Sequence, residues 1–290
     1  MRVLVFGAGG MLGQAVLAEF EKAHDAFGFR WPAVDGIDIC DPGAVGEVML
    51  GFAPDLVVNC AAYTDVDGAE SHREEAWRVN AWGPWNVGSQ IVRNGLENRV
   101  AVLHVSTDFV FDGTKGEPYT EYDAPNPVNV YGASKWAGEQ ALARTGVRHW
   151  IVRTQWLYGP NGRHFPGTIL RLADQNKPLR VVDDQFGCPT SSVDLAAAMR
   201  RIVEECPFGV YHVNNDGETN WHEVARAVLE LTGRDPDLVT AIPTDEYPTP
   251  ATRPARSTLD RMSLRIQGQD RARPWRDALE EYLNTLSTNN

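Results

Sequence analysis

Thr107, Tyr131 and Lys135 stand at spacings that proton transfer can use. Ser106-Thr107-Asp108 follows directly on the apolar run Val100-Ala101-Val102-Leu103-His104-Val105, which sets a hydroxyl at the mouth of a strand. Tyr131 and Lys135 are four residues apart in a stretch that turns helical from Tyr131 onward, so both project from one helix face. An ammonium beside a phenol favours the phenolate and lowers the tyrosine pKa from about 10, giving an acid–base group near neutrality. Alone, such a pair reads more simply as a solvated helix face. The elements before it give it meaning.

Val3-Leu4-Val5-Phe6 is a short, continuous apolar run, the pattern of a parallel strand buried on both faces. Gly7-Ala8-Gly9-Gly10-Met11-Leu12-Gly13 follows, and residues 14–22 read as helix with Val16, Leu17 and Phe20 on one face. Glycines at 7, 10 and 13 relate the turn to the dinucleotide fingerprint: a tight turn, close approach of a pyrophosphate, and close helix–strand packing. The helix N-terminus then offers free N–H groups to phosphate. A second strand over 26–29 ends at Arg30, where an arginine can accommodate the 2′-phosphate of NADPH, with NADH as the alternative. An ordinary solvated arginine is the competing reading. Asp38-Ile39 can hold an adenine edge between a carboxylate and an apolar side chain. Leu56-Val57-Val58-Asn59-Cys60 is another buried strand, and the small Ala61 and Ala62 before Tyr63 leave room for a ligand at its carboxyl end.

Residues 70–93 read as one helix interrupted by Pro84, which frees the Asn80 carbonyl. That carbonyl either holds a water on a proton path or marks a simple kink. Residues 109–129, rich in Gly, Pro, Asp and Asn, form a long loop. Strands follow over 150–154, 179–182 and 210–213, and helices over 164–175, 193–205, 221–232 and 275–286. The fold class expected is α/β: a Rossmann-type doubly wound parallel sheet over residues 1–154, with a smaller C-terminal α/β substrate lobe over 155–290. Part of the later chain, roughly 188–215, is expected to return to the first domain.

Composition narrows the function. The 290 residues carry a formal net charge of −12, which argues against a nucleic-acid binder and asks any anionic ligand for a local, shaped site. Four cysteines without paired spacing give no disulfide framework or zinc site, so a reducing, cytoplasmic setting is expected. No apolar run has the length of a membrane span.

With the glycine turn, Ser106-Thr107 and Tyr131-x-x-x-Lys135 in chain order, the sequence resembles the extended short-chain dehydrogenases/reductases. More narrowly, it is similar to the branch that reduces a 4-keto sugar nucleotide in dTDP-L-rhamnose synthesis. GAGGMLG at 7–13, NCAAYTDVDGAE at 59–70, STDFVFDG at 106–113 and PVNVYGASKWAGE at 127–139 carry the resemblance. RTQWLYG at 153–159, DQFGCPT at 184–190 and TPATRP at 249–254 extend it almost to the end. The resemblance implies hydride transfer from NAD(P)H to C4 of dTDP-4-dehydro-L-rhamnose, with Tyr131 as proton donor. Lys135 would bind the nicotinamide ribose and Thr107 the reacting oxygen. Asp108 and Trp156 match sugar-nucleotide contacts, while Gly10, Met11, Leu12, Asp38, Ile39, Ala61, Ala62 and Tyr63 match cofactor contacts.

Arg30 stands where some relatives carry an aspartate, and Gln14 where a glutamate could serve a metal, so no metal is expected. A homodimer is compatible with the resemblance. Dehydratases of the superfamily follow Thr-Asp with Glu; here Phe109 follows, which disfavours elimination. An epimerase, or a non-catalytic NADP-binding regulatory subunit of a methionine adenosyltransferase, are the other readings the resemblance allows.

Overall fold

The structure, a computed structural model, describes residues 1–29, 36–175 and 178–288. Six strands form one parallel sheet: β1 (Arg2–Phe6), β2 (Asp25–Phe29), β3 (Leu56–Asn59), β4 (Ala101–Thr107), β5 (His149–Thr154) and β6 (Gly209–His212). Their spatial order is β6-β5-β4-β3-β1-β2. The chain therefore steps outward from β1 to β2 and then crosses back to β3, which opens a crevice at the carboxyl ends of β1 and β3.

The continuous apolar strands are explained by cover on both faces. Val3, Val5, Val58, Leu103 and Val152 pack under the helices Met11–Phe20 and Ser192–Glu205, against Val16, Phe20, Leu195 and Met199. Leu4, Phe6, Val57 and Val102 point the other way, against Val45, Met49, Val87, Ile91 and Leu142. Alternate residues of each strand thus serve two cores. The expected parallel α/β sheet is present, and the later chain does add to it: β6 pairs with β5 from Gly209 opposite Trp150 to His212 opposite Arg153. A separate core holds the rest of the C-terminal half, with Tyr158, Ile169, Val181, Val228 and Leu279 buried together. Among the described residues, no helix is long and apolar enough to cross a membrane.

The first helix begins at Met11, three residues earlier than its pattern suggests, with Gly10 as its N-cap and no side chain capping it. Larger differences surround Pro84. Instead of one helix over 70–93, the chain forms Val66–Ser71, Arg73–Trp77, a wider π turn over Arg78–Trp82, and Gly83–Arg93. Proline has no N–H to give, so the hydrogen-bond register slips by one residue and Gly83 N–H donates to Arg78 O.

The Asn80 carbonyl faces Gly138 of the helix Val130–Arg144: a Cβ at position 138 would lie 2.0 Å from that oxygen. A glycine Cα, rather than an open water site, takes the space beside it. The Asn80 side chain does the positioning, accepting from Tyr63 N–H at 2.9 Å and donating to Tyr63 O and Ser134 Oγ at 3.0 Å each. We expect Gly138→Ala to cost about 1–3 kcal/mol through this overpacking. The check is a urea unfolding curve, and an unchanged midpoint would contradict the close approach.

Candidate active site

A cleft of about 710 Å³ opens at the carboxyl ends of β1, β3, β4 and β5. Its floor at one end is the glycine turn. Gly7 takes φ +75°, and a Cβ at Gly13 would sit 2.1 Å from Gly7 O, so the helix can approach the strand only without a side chain there. At Gly10 a Cβ would meet Gly7 O at 3.4 Å and otherwise open space. The first turn of the helix has no acidic residue and no side-chain cap, so its N–H groups and the positive end of its dipole remain available to phosphate. These residues fit a dinucleotide. Gly7, Gly10, Met11, Leu12 and Gly13 all line the cleft.

Asp38 and Ile39 stand on the adjoining wall, and Ala61 and Ala62 follow β3. Tyr63 does not reach the cleft lining; its backbone is held back by Asn80. Arg30 lies outside the described residues. Arg78 enters this wall unannounced by any sequence signal. Its guanidinium donates to Asp38 Oδ2 at 2.7 Å and to both Glu75 oxygens at 2.8 Å. Burial opposes ionisation of Asp38, but hydrogen bonds from Arg78 and Cys40 N–H hold its carboxyl below the usual range.

At the other end, β4 delivers Thr107 and Asp108, and the helix Val130–Arg144 delivers Tyr131 and Lys135. Asn129 caps that helix, its side chain accepting from Gly132 N–H at 2.8 Å. Lys135 is 2% exposed and donates to Val105 O at 2.6 Å. Burial pulls its pKa down to about 8, while the Glu139 carboxylate acts in the opposite direction. Tyr131 departs from expectation. Burial pushes its phenol up to about 12, the Thr107 hydroxyl offsets part of that, and Asp108 adds to it. Lys135 does not supply the expected lowering: its ammonium is turned toward Val105 O, and the phenolate would lose water.

Asp108 is buried, and its carboxyl accepts from Thr107 Oγ1 at 3.0 Å and Ser257 Oγ at 2.5 Å. Phe109 lays its ring edge-on to Tyr131, centroids 5.9 Å apart at 79°. A phenyl therefore stands beside the phenol at the position where a dehydratase would carry a carboxylate.

Trp156, also in the cleft, has φ +47°, a left-handed conformation that a bulky residue rarely adopts. Its indole stacks on Trp221 at 3.6 Å and 13°, and a Cβ on Gly187 would lie 2.5 Å from it. Gln155, within the RTQWLYG motif, also lines the cleft, as does the segment 161–163, which no motif or spacing marks.

Comparison with known proteins gives matches along almost the whole chain. A family model described as RmlD substrate binding domain matches residues 1–288. The spore coat polysaccharide biosynthesis protein SpsK of Bacillus subtilis is 37% identical over 99% of this chain and 98% of its own. A dTDP-4-dehydrorhamnose reductase of Sinorhizobium fredii is 39% identical over 89% of this chain and 88% of its own. Among solved structures, the dTDP-4-dehydrorhamnose reductase of Bacillus anthracis in complex with NADP superposes with a TM-score of 0.92. It is 34% identical, covering 98% of this chain and 99% of that one.

Proposed function

The chain belongs to the RmlD substrate-binding-domain family, and on that premise we propose that it reduces the C4 keto group of dTDP-4-dehydro-L-rhamnose to dTDP-L-rhamnose. One observation carries the reading: Thr107, Tyr131 and Lys135 line the same cleft as an open, glycine-built phosphate cradle, with Phe109 in place of a second carboxylate.

The cofactor is NADPH, which supplies the hydride when bound. Gly7, Gly10, Met11, Leu12 and Gly13 would hold its pyrophosphate through backbone N–H groups, and Asp38 and Ile39 its adenine side. Tyr131 gives its proton to the carbonyl oxygen as negative charge develops there. Thr107 orients that oxygen and the phenol together. Lys135 holds the nicotinamide ribose and, as a cation beside the developing phenolate, counters the effect of burial. Asp108 and Trp156 bind the sugar nucleotide.

An NADPH-oxidation assay across a small panel of 4-keto sugar nucleotides tests this. The expected result is one NADPH consumed per sugar with dTDP-4-dehydro-L-rhamnose, and a higher kcat/KM with NADPH than with NADH. Product formed without net oxidation would point to an epimerase. A clear NADH preference would remove the role expected of Arg30.

A further inference from the structure

Asp108 differs from an ordinary sugar-binding carboxylate. It is 2% exposed, and its side-chain partners are two hydroxyls, Thr107 Oγ1 on one oxygen and Ser257 Oγ on the other. Among the described residues no basic side chain is hydrogen-bonded to it. A carboxyl buried without a cation prefers its neutral form, and burial pushes this one up to about 7, against the hydrogen bonds from Ser257 and Thr107.

Thr107 donates to Asp108 Oδ1 at 3.0 Å and lines the cleft with Tyr131, whose phenol its hydroxyl holds lower than burial alone would. Its oxygen accepts from Phe109 N–H at 3.2 Å, which fixes it in place, while its hydroxyl proton can rotate. With Asp108 neutral, the acid proton can point at Thr107 and the Thr107 proton at Tyr131. We propose that Asp108 is an internal proton store for Tyr131, bridged by the Thr107 hydroxyl and oriented by Ser257 from the C-terminal half of the chain. This rests on the reductase reading above.

The step is a transfer of protons only. Tyr131 O–H breaks as its proton passes to the oxygen at C4 of the sugar. The Thr107 proton passes to the tyrosine oxygen, and the Asp108 proton to the Thr107 oxygen. Asp108 is left as carboxylate and recovers a proton from solvent between turnovers. Negative charge moves from a phenolate that burial disfavours to the conjugate base of a stronger acid, so the shuttle runs downhill. The groups facing Asp108 are Thr107, the last residue of β4, Tyr131 on the helix Val130–Arg144 and Ser257. Lys135, one turn further along the helix, is turned to Val105 O.

The test begins with infrared difference spectra of the intact chain, wild type minus Asp108→Asn. A carboxylic-acid carbonyl band is expected at about pH 6, lost as pH rises through about 7. Its absence at the lower pH overturns the proposal whatever the turnover. In the NADPH assay, wild-type kcat should fall through the same range. Asp108→Asn should be flat there and slower at low pH by at least about tenfold. Ser257→Ala removes a donor that favours the carboxylate, so it should move both the band loss and the kcat limb to higher pH with the sugar KM unchanged. A raised KM with an unmoved limb would leave Asp108 and Ser257 as substrate-holding groups only and end the relay. The band present with no turnover on any 4-keto sugar nucleotide would overturn the reductase reading, and the relay with it; no band with normal turnover overturns the relay alone.

Discussion

Tyr131→Phe is expected to lower kcat by about 10²–10⁴-fold, the range of a lost general acid, while NADPH binding persists. The phenyl ring keeps its edge-on packing with Phe109, and neither the glycine turn nor the Asp38 wall touches the missing hydroxyl. What is lost is the phenol proton that the structure brings to the head of the cleft. Thr107 cannot replace it, because an aliphatic hydroxyl is a far weaker acid than a phenol and its oxygen is tethered to Phe109 N–H. Quenching of tryptophan fluorescence by NADPH separates binding from chemistry. Near-normal turnover with unchanged quenching would take Tyr131 out of the reaction.

The second large effect concerns stability. Glu139 and Arg153 form an ion pair at 2.7 Å with side chains 2% and 3% exposed. Ser106 Oγ donates to the same carboxylate at 2.5 Å, and the guanidinium lies 5.3 Å from the Phe111 ring and 5.6 Å from that of Trp136. On the far side, Arg153 stands 3.5 Å from His212 Nε2. His212 Nδ1–H donates to Tyr119 O and Asp260 O, and burial, with the Arg153 charge, pulls its pKa down to about 3, so this imidazole stays neutral. Glu139→Leu would leave a guanidinium buried without a counter-ion, at a cost of about 3–5 kcal/mol. Adding Arg153→Leu should recover much of that, because the uncompensated charge goes. Urea unfolding of the two variants measures the difference, and a loss below about 1 kcal/mol in the single variant would place the pair among solvent-screened ones.

The parts of this protein that local rules govern could be read from the chain itself. A buried parallel strand must be apolar throughout, and the Gly7–Gly13 turn has a separate steric reason at each glycine, so both announce themselves. Tyr131 and Lys135 share a face by helical spacing, and the glycine turn and the strand ending Ser106-Thr107 before them turn that face into a site candidate. The rest depends on distance in sequence. Ser257 reaches Asp108 across 149 residues, and no spacing rule connects a serine of the C-terminal half with the end of β4. Arg78 lies in the cleft wall beside a one-residue slip of helical register, and a 3.6-residue period cannot show such a slip. Tyr63 belongs to the expected cofactor motif, but its backbone N–H and carbonyl are taken by Asn80 of the π turn, 17 residues on. The direction of the tyrosine pKa is hidden for a related reason: spacing gives the neighbour on the same helix, whereas burial is a property of the assembled cleft.

The sixth strand bears on how the chain acquires its shape during synthesis. β5 pairs on one side with β4, but its other edge waits for residues 209–212, after some fifty intervening residues have built part of the second core. Until then a nascent chain carries β5 as an open edge, with Trp150 and Val152 lacking the helix Ser192–Glu205 that will cover them. Such an edge is a template for pairing with another chain. Vectorial folding of the first half therefore stops one strand short of the full sheet. The ribosome must release residue 212 before the nucleotide-binding half can complete itself, and the chain is most exposed to misassembly in that interval.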